Sequence, residues 1–351
     1  MSKTRVGVLS DGVYDAWTAL VQDSPYGSVY GLPAYLDVLC VAAGGAFRIL
    51  GVYRGDELVG GVALYERDSA FGRYVSPRLL LYYNGPVLRR YDTKYPSERT
   101  SRQVEALGAL AEALEGEGFG AIVLKARGTL TDVRPFQARG WSARPSYTYV
   151  VPLDDLGARW ELVEQNLRRL IRRCERDGLV LTEDDDFDAF YRLHSLTLGR
   201  KGVGQYLPHA AFAQYFTRLR AQGLCRLYHA RLPDGRAIAS QLVLLGHAVT
   251  HSVSAAGDPD FNRTGAQAFL RWKVFEALSA LGHSGNDLTD AALNPVTHFK
   301  AQLGGDLVPA FVVESPSRLP YQIGSAAGRL ARRVRGLASG AVRRMISRRR
   351  E

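Results

Sequence analysis

Apolar residues recur at helical spacing in three long stretches of the chain. Residues 101–117, 160–177 and 187–198 each place apolar side chains three and four positions apart, the pattern of an amphipathic helix. Gly118 and Gly178 follow the first two stretches, and glycine is typical of helix ends. The pattern therefore predicts three helices.

Runs rich in β-branched and aromatic residues lie between these helices. Residues 47–65 and 225–245 each contain two such runs around a turn, which is centred on Gly55 in the first and on Gly235 in the second. Two β-rich runs around a short turn predict a β-hairpin. Residues 121–124 predict a buried strand. Strands that alternate with helices in this way indicate an α/β chain.

The two halves of the chain carry matching elements in the same order. Each half has a hairpin, a later strand, a short segment with the pattern Phe-x-Ala, and a final β-rich run. The matched ranges are 47–50 with 225–228, 60–64 with 240–244, 120–124 with 286–290, 136–140 with 299–304, and 147–151 with 310–313. This order predicts a duplicated α/β unit with mixed central sheets flanked by helices. We expect a first domain at 1–152, a second at 153–316 and a tail at 317–351.

Charge is distributed unevenly between this body and the tail. The 45 Lys and Arg residues exceed the 35 Asp and Glu residues by ten, and nine of these ten positive charges lie in residues 317–351. The body is therefore close to neutral, which argues against a basic nucleic-acid-binding surface covering it. In the tail, apolar residues between 323 and 345 recur at steps of four and three. We expect a basic amphipathic helix that contacts an anionic membrane, in preference to RNA. The alternative is a disordered solubilising tail or a helix that packs on the body.

Other features exclude several classes of protein. The three cysteines, Cys40, Cys174 and Cys225, lie far apart, which excludes a disulfide framework and a CxxC metal or redox site. No apolar run reaches the roughly 18–20 residues of a membrane-spanning helix. No P-loop, dinucleotide fingerprint or metalloprotease spacing is present, so no metal site is expected. The sequence predicts a soluble protein of a reducing compartment.

Lys300 is the candidate that the duplication singles out. The first copy has Gln137 where the second has Lys300, which stands between Phe299 and Ala301. A lysine beside a buried phenylalanine could stabilise a developing oxyanion or hold a phosphate. The alternative is an ordinary surface lysine that extends its charge into solvent.

A turn from a strand into a helix offers a second candidate. Residues 258–267 precede a helical run at 268–281, and a turn of small residues at a helix N-terminus is a natural anion site. Asn262, Thr264 and Gly265 are its candidate ligands. The alternative is an ordinary loop between a strand and a helix.

Cationic residues form the third candidate set. Arg168 with Arg172, and Arg169 with Arg173, make two rows on one predicted helix, which suits a polyphosphate or an RNA backbone. The alternative is a solvated helix face. The set of candidate substrate- or phosphate-binding residues is completed by Arg200, Lys201 and, in the second hairpin, Gln241.

With these residues in place, the chain resembles the Fem-type (FemABX-like) branch of the GNAT acyltransferase superfamily, which includes the GNAT-like BioF2-type acetyltransferases. The resemblance covers about residues 24–314. It is carried by the motifs LYYNGPV at 81–87, NLRRLIRR at 166–173, FYRLH at 190–194, RKG at 200–202 and FKAQLG at 299–304.

The resemblance implies tandem GNAT folds, a degenerate first copy, and a transfer site held by the second copy in the cleft between them. Fem-type enzymes move an aminoacyl group from charged tRNA to an amine of a peptidoglycan precursor. A Phe-Lys pair lies at their transfer site, and it corresponds to Phe299 and Lys300. The implied protein is a bacterial acyltransferase without a tightly bound cofactor. It would act on an amine of a cell-envelope precursor, polysaccharide or metabolite, in the cytoplasm or at the inner face of the membrane.

The donor predicted from the resemblance is aminoacyl-tRNA or acyl-CoA. GNAT enzymes that use coenzyme A usually carry a loop of the form Q/R-x-x-G-x-G/A, whereas residues 262–267 read NRTGAQ. This departure slightly favours aminoacyl-tRNA. The alternatives are an acyl-CoA-dependent N-acyltransferase, and a non-catalytic tandem GNAT module that binds tRNA or an anionic membrane.

Overall fold

The computed structural model describes residues 4–78 and 80–317 of the chain, and the predicted tail helix lies outside them. Helices flank a central sheet in these residues, and most begin where periodicity or a proline indicates. The α-helices are α1 Tyr14–Asp23, α2 Pro33–Ala43, α3 Pro96–Gly116, α4 Arg134–Gln137, α5 Leu156–Leu162, α6 Gln165–Arg176, α7 Phe187–Lys201, α8 His209–Ala221, α9 Ala266–Ala280 and α10 Pro295–Ala301.

The strands form one large mixed sheet, which confirms the predicted α/β class. They are β1 Thr4–Val8, β2 Ala46–Arg54, β3 Glu57–Arg67, β4 Tyr74–Val75, β5 Val87–Leu88, β6 Ala121–Lys125, β7 Ser142–Pro152, β8 Val180–Glu183, β9 Cys225–Arg231, β10 Ala237–Leu244, β11 Val249–Gly257, β12 Gly285–Asp287 and β13 Asp306–Glu314. Both predicted hairpins are confirmed, as β2–β3 and β9–β10.

The order of strands across the sheet reflects the duplication. It runs β1-β2-β3-β4-β6-β13-β7-β12-β11-β10-β9-β8, with β5 paired to β3 beside this path. Read from either end, the order passes through equivalent strands of the two copies. The pairing sense matches as well, because β4–β6 and β11–β12 are the parallel pairs and their neighbours are antiparallel.

The last strands of the two copies are exchanged at the centre of the sheet. Strand β13, from the end of the described chain, pairs with β6 of the first half, and β7 of the first half pairs with β12 of the second. The two exchanged strands also pair with each other, from Asp306 opposite Val150 to Glu314 opposite Ser142. Each copy therefore completes its partner's part of the sheet. The domain bounds at 152 and 316 stay a prediction.

The hydrophobic core likewise joins the two halves. One cluster of buried residues combines Trp17 and Tyr35 of the first half with Tyr215 and Leu242 of the second. The hydroxyl groups of Tyr35 and Tyr215 lie 2.8 Å apart within it. Two further clusters belong mainly to one half each. The shared cluster accounts for the side-by-side packing of α2 and α8.

The predicted continuous helix over 160–177 is wrong. Helix α5 ends at Leu162, and Val163 adopts an extended conformation before α6 begins at Gln165. Val163 forms a β-bridge with Leu303, and the Glu164 amide donates a hydrogen bond to the Gln302 carbonyl at 3.0 Å. These contacts with a distant segment interrupt a helix that the local periodicity alone would continue.

Candidate active site

Two cavities lie close to the last residues of β11. The helix cavity, of about 360 Å³, is enclosed by α6, α7, α9, α10 and the end of β11. The cleft cavity, also about 360 Å³, lies between the two halves of the chain. The helix cavity is lined by Leu167, Leu170, Thr197, Arg200, Ala255, Ala256, Gly257, Asn262, Gly265, Gln267, Ala268, Arg271, Pro295, Val296 and Phe299. The cleft cavity is lined by Tyr30, Pro77, Arg78, Leu80, Tyr82, Lys125, Val253, Thr289 and Asp290.

Strand β11 contributes to both cavities because its pairing is interrupted. The register between β10 and β11 shifts at Val253, since Leu242 lies opposite Ser254 while Val243 lies opposite Ser252. On its other side, β11 pairs with β12 through Val249–His251 in the described chain. A bulge redirects side chains and ends regular pairing. Val253 consequently lines the cleft cavity, and the residues from Ala255 onward line the helix cavity.

Phe299 lines one of the two cavities, and Lys300 lies behind the wall of the other. Helix α10 begins after Asn294, whose side chain accepts hydrogen bonds from the Val296 and Thr297 amides. Phe299 then lines the helix cavity. Lys300 is buried, and its ammonium donates to the carbonyls of Thr289 and Asp290, at 2.8 Å in the second case.

The turn that Lys300 holds is conformationally unusual. Thr289 and Asp290 both have positive φ values, of 50° and 65°, a region that residues other than glycine rarely adopt. Both residues line the cleft cavity. Lys300 therefore supports one wall of this cavity from behind. In the first half, the equivalent Gln137 is exposed and lines a separate open groove.

Two of the three predicted residues of the anion loop line a cavity, and the third does not. Asn262 and Gly265 line the helix cavity. Thr264 serves the loop itself, because its hydroxyl donates to the Phe261 carbonyl at 2.8 Å and accepts from the Ala266 amide at 3.3 Å. Gly265 has a φ of 96°, and a Cβ there would lie 2.6 Å from the Cβ of Leu170. Close packing of α6 against the start of α9 thus requires this glycine.

Three of the four predicted arginines line a surface groove on α6. Its volume is about 570 Å³, and Arg168, Arg169 and Arg172 line it, whereas Arg173 does not. Leu167 and Leu170 of the same helix face the helix cavity instead. The structure therefore separates the groove from the cavity by the width of α6.

Each of the four predicted arginines has a local contact. Arg168 is 2.6 Å from Glu161, Arg169 donates to Asn166 at 3.1 Å, and Arg173 is 3.4 Å from Asp177. The guanidinium of Arg172 lies over the Trp160 ring at 5.5 Å. These exposed contacts are weak enough for a ligand to replace them.

The remaining predicted residues are dispersed. Arg200 lines the helix cavity, whereas Lys201 ends α7 and its side chain lies outside the described part of the structure. Gln241 is fully buried in the sheet, where its amide donates to the Ser252 hydroxyl at 2.6 Å. Ser252 in turn donates to Asn286 at 2.8 Å. Gln241 therefore belongs to a polar network inside the sheet and lines neither cavity.

Lys125 is a cavity residue that the sequence reasoning missed. It ends β6, is 7% exposed, and its ammonium lies 3.4 Å from the centre of the Tyr82 ring. Burial lowers the pKa of Lys125 to about 8, against the opposing effect of the Asp290 and Asp287 carboxylates. The sequence signal for a functional role was that Lys125 is the charged last residue of an otherwise apolar strand.

Asp287 forms hydrogen bonds with residues of both halves of the chain. Its carboxylate accepts a hydrogen bond from the Tyr83 hydroxyl at 2.7 Å and another from the Thr148 hydroxyl at 2.5 Å. The Thr289 amide also donates to it, at 2.8 Å. Since Tyr83 and Thr148 belong to the first half, this buried carboxylate joins both halves beside the turn held by Lys300.

Arg271 is the second residue that the sequence reasoning missed. It lies in α9, is 6% exposed and lines the helix cavity. Burial lowers its pKa to about 10. The signal in the sequence was weak, because a single arginine in a helix normally reaches solvent.

Part of the chain matches a known family model. Residues 163–300 match the family model described as an acetyltransferase (GNAT) domain. No curated protein is similar enough in sequence to be matched. The fold of the crystal structure of FemX superposes with a TM-score of 0.69 at 14% identity, over 88% of this chain and 96% of that one.

Two other solved structures share the fold. One is the C-terminal domain of a putative lysylphosphatidylglycerol synthetase from Agrobacterium fabrum, with a TM-score of 0.57, 14% identity, and coverage of 91% of this chain and 96% of that one. The other is a tandem GNAT protein from the clavulanic acid biosynthesis pathway. It has a TM-score of 0.52 and 13% identity, over 90% of this chain and 100% of that one.

Residues 163–300 therefore form a GNAT acetyltransferase domain, and the chain shares its fold with FemX and with the tandem GNAT protein, in agreement with the sequence resemblance. The family match supports transferase activity of the GNAT acyltransferase type. In the described residues, no group of three or more His, Cys, Asp or Glu side chains could hold a metal ion. None of the described helices is both long enough and apolar enough to cross a membrane.

The packing around Gly265 yields a direct test. Gly265→Ala should lower the free energy of unfolding by about 1–3 kcal/mol, because the new Cβ meets Leu170 and the positive φ becomes strained. Urea unfolding measures this change. Gly199→Ala, in α7 with open space around the added methyl, is the control and should be neutral or stabilising by up to about 1 kcal/mol. Equal stability of the two variants would contradict the packing role.

Proposed function

We propose that the protein transfers an aminoacyl or acyl group onto an amine by direct attack. The donor would occupy the helix cavity and the acceptor the cleft cavity. The observation that carries this proposal is that neighbouring residues reach both cavities: Phe299 lines the helix cavity, and Lys300 holds the turn at 289–290 that lines the cleft cavity. Two open cavities that are both lined by residues of β11 suit a reaction between two substrates better than a purely binding module.

The proposed reaction needs no covalent enzyme intermediate. The neutral acceptor amine attacks the carbonyl carbon of an ester or thioester, a C–N bond forms, and an oxyanion develops on the carbonyl oxygen. The C–O or C–S bond then breaks, and the leaving group takes up the proton that the amine has lost. The protein must position both substrates, stabilise the oxyanion and carry the proton.

Lys300, whose ammonium lies behind the turn at 289–290, is the residue we assign to electrostatic stabilisation of the oxyanion. Its ammonium is buried, where a positive charge acts more strongly than in water. Its hydrogen bonds to Thr289 and Asp290 hold it in a defined position before substrate arrives. A fixed charge of this kind stabilises a developing oxyanion without reorganisation.

Lys300→Met should lower kcat about 100- to 1000-fold, as expected for removal of one oxyanion-stabilising group. Single-turnover assays with the native donor measure this decrease, and thermal unfolding checks that the fold is intact. Gln137→Met, at the equivalent position of the first copy, is the matched control and should retain turnover. Full activity of a folded Lys300→Met protein would refute the assignment.

Lys125 is our candidate for accepting the acceptor's proton. An amine attacks only in its neutral form, and a base with a pKa near the working pH transfers protons most effectively. Lys125 lines the cleft cavity, and its pKa of about 8 leaves a large neutral fraction above pH 8. Below pH 8 it is mostly protonated and cannot accept a proton.

The pH dependence of kcat tests this role. The rate should rise as pH passes through 8, and Lys125→Met should abolish this inflection and lower kcat about 100-fold or more. Lys94→Met, an exposed lysine of the first half, should leave the profile unchanged. If the pH profile of kcat keeps its inflection in Lys125→Met, another group accepts the proton.

We favour aminoacyl-tRNA as the donor, with acyl-CoA as the alternative. Three observations support tRNA: the departure of residues 262–267 from the Q/R-x-x-G-x-G/A pattern, the arginine groove on α6, and the fold shared with FemX and with a putative lysylphosphatidylglycerol synthetase. A basic groove outside the cavity suits the backbone of a large RNA donor, whereas a compact thioester would not need it.

The salt dependence of tRNA binding tests the groove. The double variant Arg169→Ala with Arg172→Ala should weaken tRNA binding and reduce the slope of log K against log salt by about 2, since each arginine that neutralises one phosphate adds about 1 to that slope. Arg218→Ala, on the exposed face of α8, should retain the slope. An unchanged slope in the double variant would exclude the groove from donor binding.

The acceptor class is a proposal that rests on the sequence resemblance to Fem-type enzymes. We propose an amine of a cell-envelope precursor, including lipid-linked ones, with the reaction at the inner face of the membrane. The +9 charge of residues 317–351 supports this proposal, because arginines gain about 1 kcal/mol each near an anionic lipid surface.

A further inference from the structure

Arg271 carries a buried positive charge that no described residue neutralises. Its Nε and Nη1 atoms are shielded from solvent, and neither makes a hydrogen bond to any described residue. It is 6% exposed, on a helix whose other inward residues include Phe269, Trp272 and Phe275. Burying a guanidinium in such surroundings is unfavourable unless an anion compensates for it.

The helix cavity provides the space for such an anion. Arg271 lines this cavity together with the apolar Leu170 and Phe299. Arg200 is the other charged residue of its wall, and no carboxylate lines it within the described residues. Both charged residues in the lining of the cavity, Arg200 and Arg271, are therefore positive.

The N-terminus of α9 opens onto the same cavity. Gly265 is the residue that caps it and has no side chain to accept a hydrogen bond, and the Thr264 hydroxyl accepts only from the first amide, that of Ala266. Free amides and the helix dipole at such an end attract negative charge. Arg271 lies five residues beyond Ala266, about 7–8 Å down the helix axis. It would contact a group deeper in the cavity than one bound at the helix end.

We propose that Arg271 is the buried end of a phosphate-binding subsite in the helix cavity. The identity of the ligand as the acyl donor rests on the function proposed above. A planar guanidinium binds two phosphate oxygens at once, and a desolvated site strengthens that contact. Both candidate donors carry phosphate, which lies beside the acylated nucleoside in aminoacyl-tRNA and at the far end of the pantetheine arm in acyl-CoA. The subsite recognises this shared group.

Calorimetric titration with two unacylated probes distinguishes the sources. Coenzyme A presents the phosphates of a thioester donor, and a cytidine-cytidine-adenosine trinucleotide presents those of a tRNA 3′ end. One of them should bind the full-length protein, and Arg271→Met should weaken that binding by about ten- to 100-fold, as for removal of a hydrogen bond to a charged group. Arg271→Lys should retain part of the affinity, and Arg218→Met all of it.

Thermal unfolding provides the second readout. Without a probe, Arg271→Met should unfold at a higher temperature than the wild type, because it removes an uncompensated buried charge. The bound probe should raise the unfolding temperature of the wild type but not that of Arg271→Met. A purely structural arginine would give the reverse, with a less stable variant and an unchanged response to the probe.

The outcomes separate this inference from the proposed function. Binding of neither probe to the wild type, or equal binding to the wild type and Arg271→Met, overturns the subsite. Because the probes need no acceptor and no turnover, binding through Arg271 in a protein that transfers nothing would refute the activity alone. Full turnover by Arg271→Met would refute the subsite and leave the activity intact.

Discussion

The pairing of β7 with β13 is the contact on which the rest of the molecule depends. These two antiparallel strands come from different copies of the repeated unit, and each also pairs with the neighbouring strand of the opposite copy. Without this exchange, β6 and β12 would present unpaired edges, which are costly and prone to aggregation. The exchange instead makes one continuous sheet, and it places the end of β11 and the turn after β12 beside residues of the first half.

The two copies share the same arrangement of strands but differ in the residues at equivalent positions. Equivalent strands occupy equivalent places on both sides of the centre, yet the short helix after the last parallel strand bears an exposed Gln137 in one copy and a buried Lys300 in the other. Duplication supplied a scaffold with two similar positions, and burial of a charge distinguishes one of them. Lys300, Asp287 and the strained turn at 289–290 form a connected polar structure between the halves.

Several features followed from local sequence because their causes are local. The hairpin turns at Gly55 and Gly235 require a positive φ, and both glycines have one. The five matched ranges coincide with equivalent elements of the two copies, since apolar periodicity and order along the chain are retained in a repeat. The break at Val163 was missed because its cause is a bridge to Leu303. Gln241 seemed a candidate ligand, and only its neighbours across the sheet show that it serves an internal network.

Local sequence patterns were enough to predict both hairpins, the duplication, the Phe299–Lys300 pair and the resemblance to Fem-type proteins. They also locate the excess positive charge in the tail. The exchange of β7 and β13, the different spaces faced by Arg200 and the α6 arginines, and the burial of Lys125 and Arg271 became visible only in the folded chain. The physical reason is that desolvation depends on atoms supplied by distant segments. Arg271 is enclosed by α6 and α10, which lie about 100 and 25 residues away in the chain.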